Sequence, residues 1–426
     1  MSSPKVALPP HPRRMPPIYT LPIQRLKEIT SHVAPGAVLR SMKELKSPQL
    51  PRLFILKMID NHPLLLSITP RLSVRLMRHE ASIMASEASL VHFLTGTTTK
   101  RSISPVSPRS AEGRSRPEPV ALLELVPKLL KHVSSTRETP YPYSVFEYID
   151  GVPISSLSYP LGPSGRRSVD NQIGSLAREL ASRTSPSGTF GMANRVLPDP
   201  SSKVQASTAP KLQGSETWSE AFRTLLEAVL RDGEDMSVLL PYEAIRAHYR
   251  RLSWRLDAVT SPRLAVINIS QDTNVMVERT NLKDGLDTPM EEVTLTGLRN
   301  WSQGVFGDPL ISGCFDSPSQ DFLEGWVEGG EEVIEDEENK GSRMLLYQCY
   351  RAVVAIVTEY YRPQSDSSKR ELDGRRKLTS ALKVLNGLFN DEDEALKRVR
   401  SMSVDLVSAA KRQKLDDNEN ERSAAY

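Results

Sequence analysis

The sequence predicts an α+β protein in which a small sheet-rich N-lobe precedes a larger helical C-lobe. Between Tyr19 and about Glu147 the chain shows short apolar runs and one helical pattern, with its clearest strand at Leu53–Ile59. From Val169 onward, helical spacing dominates. The apolar faces there are Ile173, Leu176, Ala177 and Leu180 in one helix and Phe222, Leu225, Leu226 and Val229 in another. A chain of 426 residues has room for two lobes of this kind.

The composition predicts an intracellular protein that does not span a membrane. A net charge of +3 is too small to indicate a nucleic-acid or membrane partner by itself. No apolar run approaches the ~18 residues of a membrane-spanning helix. The chain contains 2 cysteines, Cys314 and Cys349, which are too few for a disulfide framework. We therefore expect a reducing compartment, cytoplasmic or nuclear.

Shifts in composition predict the domain boundaries. Residues 1–18 are rich in proline and predict a flexible arm, and 19–147 form the predicted N-lobe. Residues 99–119 are almost free of apolar side chains, which indicates a disordered surface insertion in that lobe. Residues 148–362 form the predicted C-lobe. Residues 363–426 predict a polar linker over 363–376, short helices and a disordered tail.

The segment Leu264–Val277, LAVINISQDTNVMV, has the spacing of a phosphotransferase catalytic loop. In kinase-like folds this loop carries an Asp five residues before a metal-binding Asn. Asn274 occupies the metal position, but the position five residues earlier is Ile269. Isoleucine can neither accept a proton from a substrate hydroxyl nor orient it. Asp272 is the nearest acidic substitute, displaced three residues from the base position.

The catalytic segment and six further segments in register with it resemble the fungal branch of the aminoglycoside-phosphotransferase-like family, which has a protein-kinase-like fold. The resemblance covers residues 19–362 and includes the catalytic segment described above. The other segments that carry it are Phe54–Lys57, Arg78–Leu94, Ser144–Leu157, Trp218–Asp232, Gly297–Leu310 and Met344–Arg362. The resemblance implies a two-lobed kinase-like fold with ATP and Mg²⁺ as expected ligands of an active member.

The same resemblance implies a nucleotide site. Lys57 matches the phosphate-binding lysine at the end of an apolar strand, where an ammonium group can pair with a helix carboxylate. Glu87 or Glu80 would be that partner; a spacing of seven places both on one face of a continuous helix. Glu147 and Tyr148 match the hinge strand that leads into the second lobe.

Several features that phosphoryl transfer needs are missing at matched positions. The segment between Val38 and Phe54 contains no glycine, although close backbone approach to phosphates normally requires it, and it predicts the loss of one strand. Asn300 stands at the second metal position and offers a neutral oxygen instead of a carboxylate. Ser312 likewise replaces an acid, so three acids are absent, at Ile269, Asn300 and Ser312.

These losses predict a pseudokinase, a binding or scaffolding protein that keeps the fold without phosphoryl transfer. The alternative is an active ATP- and Mg²⁺-dependent small-molecule phosphotransferase in which Asp272 or Asp308 replaces the missing acids. A third hypothesis is a nuclear interaction protein, because the tail has the spacing of a bipartite import signal that an import carrier could bind. Its basic residues are Lys397, Arg398, Lys411, Arg412 and Lys414.

Overall fold

The computed structural model describes residues 23–33, 38–45, 49–60, 62–71, 73–96, 122–134, 142–201, 213–282 and 290–388. The predicted arm at 1–18, the insertion at 99–119 and the basic clusters of the tail lie outside the described residues. Contacts divide the chain into two units, Met1–Val74 with Pro127–Ile149 and Arg75–Val126 with Asp150–Tyr426. The first unit is built mainly of strands and the second mainly of helices, which confirms the predicted α+β class. The predicted lobe boundaries stay predictions.

One antiparallel sheet organises the first unit. In its described part, a helix precedes five strands in the spatial order β1-β2-β3-β5-β4. The elements are α1 (Ile23–Val33), β1 (Leu39–Leu45), β2 (Arg52–Met58), β3 (Pro63–Ile68), β4 (Leu129–Val133) and β5 (Tyr143–Glu147). Leu53–Ile59 was the clearest strand in the sequence, and β2 confirms it within a residue at either end.

Alternation along the strands builds the core of this sheet. Phe54, Leu56 and Met58 of β2 are buried beside Leu64 and Leu66 of β3. Because successive strand residues point to opposite faces, these side chains share one face. Ile29 of α1, Tyr143 and Val145 of β5, Val133 of β4 and Ile68 complete the cluster.

The hairpin β1–β2 corrects one sequence prediction. We expected the glycine-free segment between Val38 and Phe54 to have lost a strand, but β1 pairs with β2 from Leu45 opposite Leu53 to Leu39 opposite Met58. The prediction was wrong because β1 is largely exposed and polar, so its sequence, LRSMKEL, carries no buried alternation. Arg52 also bonds Glu44 across the hairpin at 2.9 Å. The strand pair is therefore present even though its turn contains no glycine.

Nine helices make up most of the described part of the second unit. Two of the longest, α4 and α9, are buried along one face. The helices are α2 (Ile83–Gly96), α3 (Leu122–Leu125), α4 (Pro163–Ala181), α5 (Ala193–Val196), α6 (Trp218–Asp235), α7 (Tyr242–Asp257), α8 (Gln320–Glu328), α9 (Lys340–Tyr361) and α10 (367–388). No described helix combines the length and apolar character needed to cross a membrane.

Two small sheets support the loops of this unit. In the described residues they have the orders β10-β9-β6 and β7-β11-β8, all antiparallel. Their strands are β6 (Val152–Pro153), β7 (Gly191–Met192), β8 (Arg263–Val266), β9 (Val275–Leu282), β10 (Met290–Leu298) and β11 (Gly304–Gly307). Because β8 ends and β9 begins on either side of residues 267–274, these sheets fix both ends of the predicted catalytic segment.

The apolar faces predicted for α4 and α6 are confirmed. Ile173, Leu176, Ala177 and Leu180 are all buried, and so are Phe222, Leu225, Leu226 and Val229. α6 begins at Trp218 with Thr217 as its N-cap, whose side chain accepts a hydrogen bond from the backbone N–H of Glu220. The helical periods of the sequence therefore locate the core of this unit.

The polar linker predicted over 363–376 is wrong, because α10 begins at residue 367. Polar side chains stabilise its first turns. Arg370 pairs with Asp366 one helical turn earlier at 2.7 Å and with Glu359 of α9 at 2.8 Å. Arg375 pairs with Glu371 at 2.7 Å. Ion pairs within the helix and to α9 thus stabilise these first turns, whose sequence is polar.

Glycine allows α4 and α8 to pack closely, and this gives the first testable prediction. A Cβ on Gly174 would overlap the Phe322 carbonyl oxygen, and one on Gly325 would overlap that of Asn171. We expect Gly174→Ala and Gly325→Ala each to destabilise the protein by about 1–3 kcal/mol in urea unfolding. Gly341→Ala is the matched control, since its Cβ meets nothing within 4 Å; it should be neutral or stabilising. Equal effects at all three positions would contradict the close packing.

Candidate functional site

The catalytic segment forms a series of tight turns between β8 and β9. The backbone N–H of Ile269 donates to the Val266 carbonyl at 3.2 Å, and that of Asn274 donates to Gln271 at 2.7 Å. Gly313 N–H also donates to the Ile267 carbonyl at 3.1 Å, which ties the loop to the segment before α8. The segment therefore has a fixed backbone conformation, and the orientation of each side chain can be described.

Ile269, at the position of the catalytic base, packs into the protein core. Its side chain is 1% exposed. It lines a small apolar cavity of about 10 Å³ together with Leu180 of α4, Leu264 of β8 and Trp326 of α8. A cavity of this size is at the lower limit for holding one water molecule. The residue at this position is thus a structural apolar side chain that stabilises the contact between α4, β8 and α8.

The structure brings Asn274 and Asn300 together and bonds their amide groups to the backbone. Asn274 is fully buried; its Oδ1 accepts from the Asn300 N–H at 2.9 Å, and its Nδ2 donates to the Asn300 carbonyl at 3.2 Å. Asn300 Oδ1 accepts from the Ser302 N–H at 2.7 Å. Both amides therefore join the start of β9 to the segment after β10.

These residues do not fit a magnesium ion. Mg²⁺ requires near-octahedral oxygen coordination and is usually held by one or two carboxylates. Here the Oδ1 atoms of Asn274 and Asn300 already accept backbone N–H groups. The one buried side-chain oxygen of this loop that lacks a hydrogen-bond partner in the described residues is the neutral Asn268 Oδ1. Across the part of the chain that the structure describes, no cluster of three or more His, Cys, Asp or Glu could hold a metal ion.

Glu87 of α2 is buried and bonded to the segment that follows Asn300. Its Oε1 accepts from the Trp301 backbone N–H at 3.2 Å. Burial raises the pKa of Glu87 from an ordinary 4.5 to about 7, and the hydrogen bond from Trp301 only partly opposes this rise. The carboxyl group is therefore held in an environment that favours its neutral form. Its assignment as the partner of a phosphate-binding lysine stays a prediction.

The raised pKa of Glu87 predicts a pH dependence of stability. A folded-state pKa of about 7 against an ordinary 4.5 favours folding while Glu87 is protonated, and the contribution is lost as pH rises from 4.5 through 7. A shift of this size corresponds to about 3 kcal/mol. Glu87→Gln keeps an acceptor for the Trp301 N–H without titrating. We expect the variant to exceed the original protein in unfolding free energy at pH 8 and to match it more closely near pH 4.5.

Urea unfolding at both pH values measures this difference. Glu80→Gln is a suitable control because Glu80 is also buried but pairs with an arginine, so its loss should destabilise the protein at pH 8. An unchanged pH dependence in Glu87→Gln would show that Glu87 is charged in the folded protein at neutral pH.

Glu80, the other predicted partner of Lys57, forms an ion pair with Arg362 at the C-terminal end of α9. Arg362 donates to both of its carboxylate oxygens at 2.7 Å, and the Met77 N–H donates to it at 2.8 Å. Glu80 lies in the 3₁₀ turn Arg78–Ser82, whereas Glu87 lies in α2. The continuous helix on which both would share a face is therefore absent, because the chain tightens into a 3₁₀ turn before α2 begins.

Lys57 lies on β2 and its side chain is exposed. In protein kinases the phosphate-binding lysine lies on the third strand. The third strand here is β3, PLLLSI, whose one polar side chain is the buried Ser67. In the sheet, Lys57 lies opposite Pro63, the first residue of β3. Lys57 therefore lies one strand before the third described strand, and its phosphate-binding role stays a prediction.

The two predicted hinge residues lie at the end of β5. Glu147 is exposed, pairs with Lys128 at 3.4 Å and donates its backbone N–H to the Lys128 carbonyl at 2.9 Å. Tyr148 follows it and is half-buried. Both belong to the first unit, and their nucleotide-binding role stays a prediction.

Asp308 of the GDPL turn is a buried structural carboxylate. Its Oδ2 accepts from Arg343 Nε and from the Tyr347 hydroxyl, each at 2.8 Å, and its Oδ1 caps the Leu310 N–H at 3.1 Å. Burial alone would lower the pKa of Arg343, but the charge of Asp308 raises it, so the guanidinium stays charged. Trp218 Nε1 donates to the Tyr347 hydroxyl at 2.7 Å. These bonds leave Asp308 braced within the core.

Ser312 and Asp272 complete the set of predicted positions. Ser312, where an acid was expected, is buried and donates its hydroxyl to the Val266 carbonyl at 3.0 Å. Asp272 lies on the surface with a 48% exposed side chain and pairs with Arg166 of α4 at 2.8 Å. Its carbonyl oxygen also accepts the Ser155 N–H at 2.9 Å. Asp272 thus holds a surface turn against α4.

A cavity of about 620 Å³ lies beside the same loop, between α4, residues 267–271, residues 313–319, α8, α9 and α10. We call it the α4–α10 cavity. Its polar lining includes Arg166 and Asp170 of α4, Gln271, Arg351 of α9 and Lys377 of α10. Ile267 and Phe322 are among its apolar contacts. Pockets that hold small molecules have volumes of about 300–1,000 Å³ and a few placed polar groups.

Charges in the α4–α10 cavity are mostly paired. Arg166 pairs with Asp170 at 2.9 Å and with Asp272, and Arg351 pairs with Asp316. Lys377 is exposed and has no ion-pair partner among the described residues. This site could not be predicted from the sequence, because its residues are spread over more than 200 positions and only α4 among its walls has a clear helical period.

The fold is similar to that of solved phosphotransferase and kinase structures. A candidate aminoglycoside phosphotransferase from Ralstonia eutropha JMP134 aligns with a TM-score of 0.52 at 9% identity, covering 86% of this chain and 98% of that chain. A candidate fructosamine-3-kinase from Haemophilus somnus 129PT aligns with a TM-score of 0.48 at 12% identity, covering 84% of this chain and 97% of that chain. Macrolide 2′-phosphotransferase MphH from Brachybacterium faecium aligns with a TM-score of 0.42 at 14% identity, covering 82% of this chain and 97% of that chain.

At these identities the likeness shows the fold alone. The chain has a protein-kinase-like α+β fold of the kind found in aminoglycoside phosphotransferases. No protein-family model matches the sequence, and no curated protein sequence matches it. The resemblance to a fungal branch and the loss of catalytic function stay predictions.

Proposed function

We propose that this protein is a pseudokinase: a kinase-like protein that binds a ligand or partner and does not transfer phosphoryl groups. The observation that carries the proposal is that the residues at the three catalytic positions stabilise the fold through packing and backbone hydrogen bonds. Ile269 packs in the core, and the amides of Asn274 and Asn300 bond backbone groups. A general base and a metal ligand must instead present free oxygen atoms to the reacting groups. The absence of a lysine from β3 supports the same proposal.

The α4–α10 cavity is the binding site in this proposal. Its three cationic side chains exceed its two acidic ones, which favours a neutral or anionic ligand over a polycation. Serine hydroxyls and glutamine amides in its wall suit a hydroxyl-bearing small molecule. These polar side chains are Ser270, Gln271, Ser317, Ser319, Gln348 and Ser380. Lys377 supplies the uncompensated charge, so it would contact an anionic group of the ligand.

The alternative is an active phosphotransferase that uses Asp272 or Asp308. Asp308 is 1% exposed and already accepts three hydrogen bonds, which argues against a role in metal binding or proton transfer. Asp272 is exposed and close to the cavity through its pair with Arg166, so it is the stronger candidate of the two. Nucleotide and metal would be required ligands only in this alternative.

A turnover assay separates the two functions. The full chain is incubated with ATP and Mg²⁺, with Mn²⁺ in a parallel series, and ADP formation is followed. We expect no ADP above the rate without protein. The control is Asp272→Ala, which removes an exposed side chain and should leave the fold intact. ADP formation that disappears in Asp272→Ala would establish the alternative; ADP formation that survives in it would show transfer by other residues.

The protein partner and the cellular compartment are proposed from the sequence of the tail. The basic residues of the tail lie outside the described residues, so an import carrier that binds them is supported by their spacing alone. We propose a cytoplasmic or nuclear protein with an unidentified protein partner. Deletion of Lys411–Lys414 in a fluorescently tagged chain should reduce nuclear accumulation if these residues act as an import signal.

A further inference from the structure

Ser317 and Pro318 form an exposed Ser-Pro pair on the rim of the α4–α10 cavity. Two other Ser-Pro pairs lie in the described residues, and both are held by the fold. Ser185 is buried and its hydroxyl bonds Ser187 at 3.1 Å. Ser261 is half-buried and its backbone N–H donates to Glu335. Ser317 is therefore the Ser-Pro serine of the described residues that an external enzyme can reach.

The surroundings of Ser317 favour a negatively charged group. It lines the same cavity as three cationic side chains, Arg166, Arg351 and Lys377, and two carboxylates, Asp170 and Asp316. The two arginines pair with aspartates, and the Lys377 ammonium has no ion-pair partner in the described part of the chain. In addition, α8 begins at Gln320 with Ser319 as N-cap, so the positive end of its helix dipole lies next to Ser317.

We propose that Ser317 is a phosphorylation site for a proline-directed protein kinase and that its phosphate occupies the cationic part of the α4–α10 cavity. The proposal rests on the proposed function in one respect, since the phosphate would regulate the cavity by competing with an anionic ligand. A phosphoserine carries a charge of about −1.5 to −2 at pH 7 and forms one to three charge-assisted hydrogen bonds with nearby cations. Lys377 is the main partner, because it has no carboxylate to release first.

The modification needs ATP and a separate enzyme. The Ser317 hydroxyl oxygen attacks the γ-phosphorus of ATP, and a new oxygen–phosphorus bond forms. The bond between the γ-phosphorus and the oxygen that bridges it to the β-phosphate breaks at the same time, so ADP leaves. The hydroxyl proton passes to the catalytic aspartate of the protein kinase. Nothing is oxidised or reduced in this step.

Phosphate mapping on the folded chain tests the site. The full-length protein is treated with a purified proline-directed protein kinase and ATP, and modified residues are located by fragmentation mass spectrometry. We expect phosphate on Ser317 and none on Ser185 or Ser261, and Ser317→Ala should remove the Ser317 signal. Absence of phosphate on Ser317, or equal modification of the buried Ser185, would overturn the proposal.

The position of the phosphate is tested by thermal melting. Phosphorylation should raise the melting temperature by about 2 °C or more when Ser317 and Lys377 are both present. The same modification in Lys377→Ala should raise it by less than half as much; equal shifts in both backgrounds would overturn docking on Lys377. A reaction without the added kinase separates the two proposals. Phosphate that appears there comes from the protein itself and contradicts the proposed lack of transfer, not the site.

Discussion

Replacing Ile269 with aspartate is expected to unfold the protein rather than to restore a catalytic base. The side chain is 1% exposed and packs against Leu180, Leu264 and Trp326. Loss of a buried isoleucine alone costs about 2–5 kcal/mol. Burying an isolated carboxyl group adds desolvation, which the group can reduce only by taking up a proton. We expect a loss of about 5 kcal/mol or more in urea unfolding, a large share of the stability of a typical domain.

Ile269→Val is the matched control, because it keeps the apolar character and removes one methylene group. It should cost about 1 kcal/mol and leave the protein folded. Ile269→Ala separates packing from charge, and its effect should lie between those of valine and aspartate. A stable Ile269→Asp protein with an ordinary aspartate pKa would show that this side chain faces solvent, which contradicts the described loop.

Replacing Asp308 with alanine is expected to be nearly as damaging. Asp308 and Arg343 are 1% and 0% exposed, and their ion pair at 2.8 Å lies inside the second unit. Removing one partner of a buried pair costs about 3–5 kcal/mol when the other charge is left without compensation. Asp336 still pairs with Arg343 at 3.2 Å, so we expect a loss at the lower end of that range. The same change removes the acceptor of the Tyr347 hydroxyl and the cap of Leu310. Thermal and urea unfolding should both show the loss.

Asp272→Ala is the control for this prediction, because it removes an aspartate of the same unit from a surface ion pair. Exposed pairs contribute about 0–1 kcal/mol, so its effect on unfolding should be small. Arg343→Met, paired with Asp308→Leu, tests whether the charges themselves are needed. A double variant much more stable than either single one would show that the cost arises from the unpaired charge. A stable Asp308→Ala protein would contradict the structural role given to Asp308.

The order of strands and helices was predictable where a local period was strong. α4 and α6 repeat apolar residues at helical spacing, and β2 alternates buried with less buried positions. β3 was not predicted as a separate strand, because PLLLSI is a nearly continuous apolar run without a period. The sequence FILK of β2 was assigned as the lysine strand, because its apolar run ends in Lys57. Only the pairing of β3 between β2 and β5 assigns the third position, and pairing is a long-range property.

The candidate site was also predictable only in its local features. The five-residue spacing led directly to Ile269 and Asn274, because a catalytic loop is continuous in the chain. The contacts that decide what these residues do are not local. Glu80 meets Arg362 across 282 positions, and Glu87 meets Trp301 across 214. Sequence spacing assigned both glutamates to a nucleotide site, whereas tertiary contacts bring each of them other partners. The walls of the α4–α10 cavity are similarly scattered.

Nucleotide binding with and without metal tests the central claim that the catalytic positions serve the fold. The measurement is a thermal melting titration of the full chain with ATP, in EDTA and then in Mg²⁺ or Mn²⁺. A ligand that binds the folded state at ~100 times its dissociation constant would add about 2.7 kcal/mol. We predict a cooperative transition whose midpoint does not respond to metal and nucleotide together. A metal-dependent increase in the melting temperature would show that oxygen atoms of this site remain available to a metal–phosphate complex, and it would contradict the account.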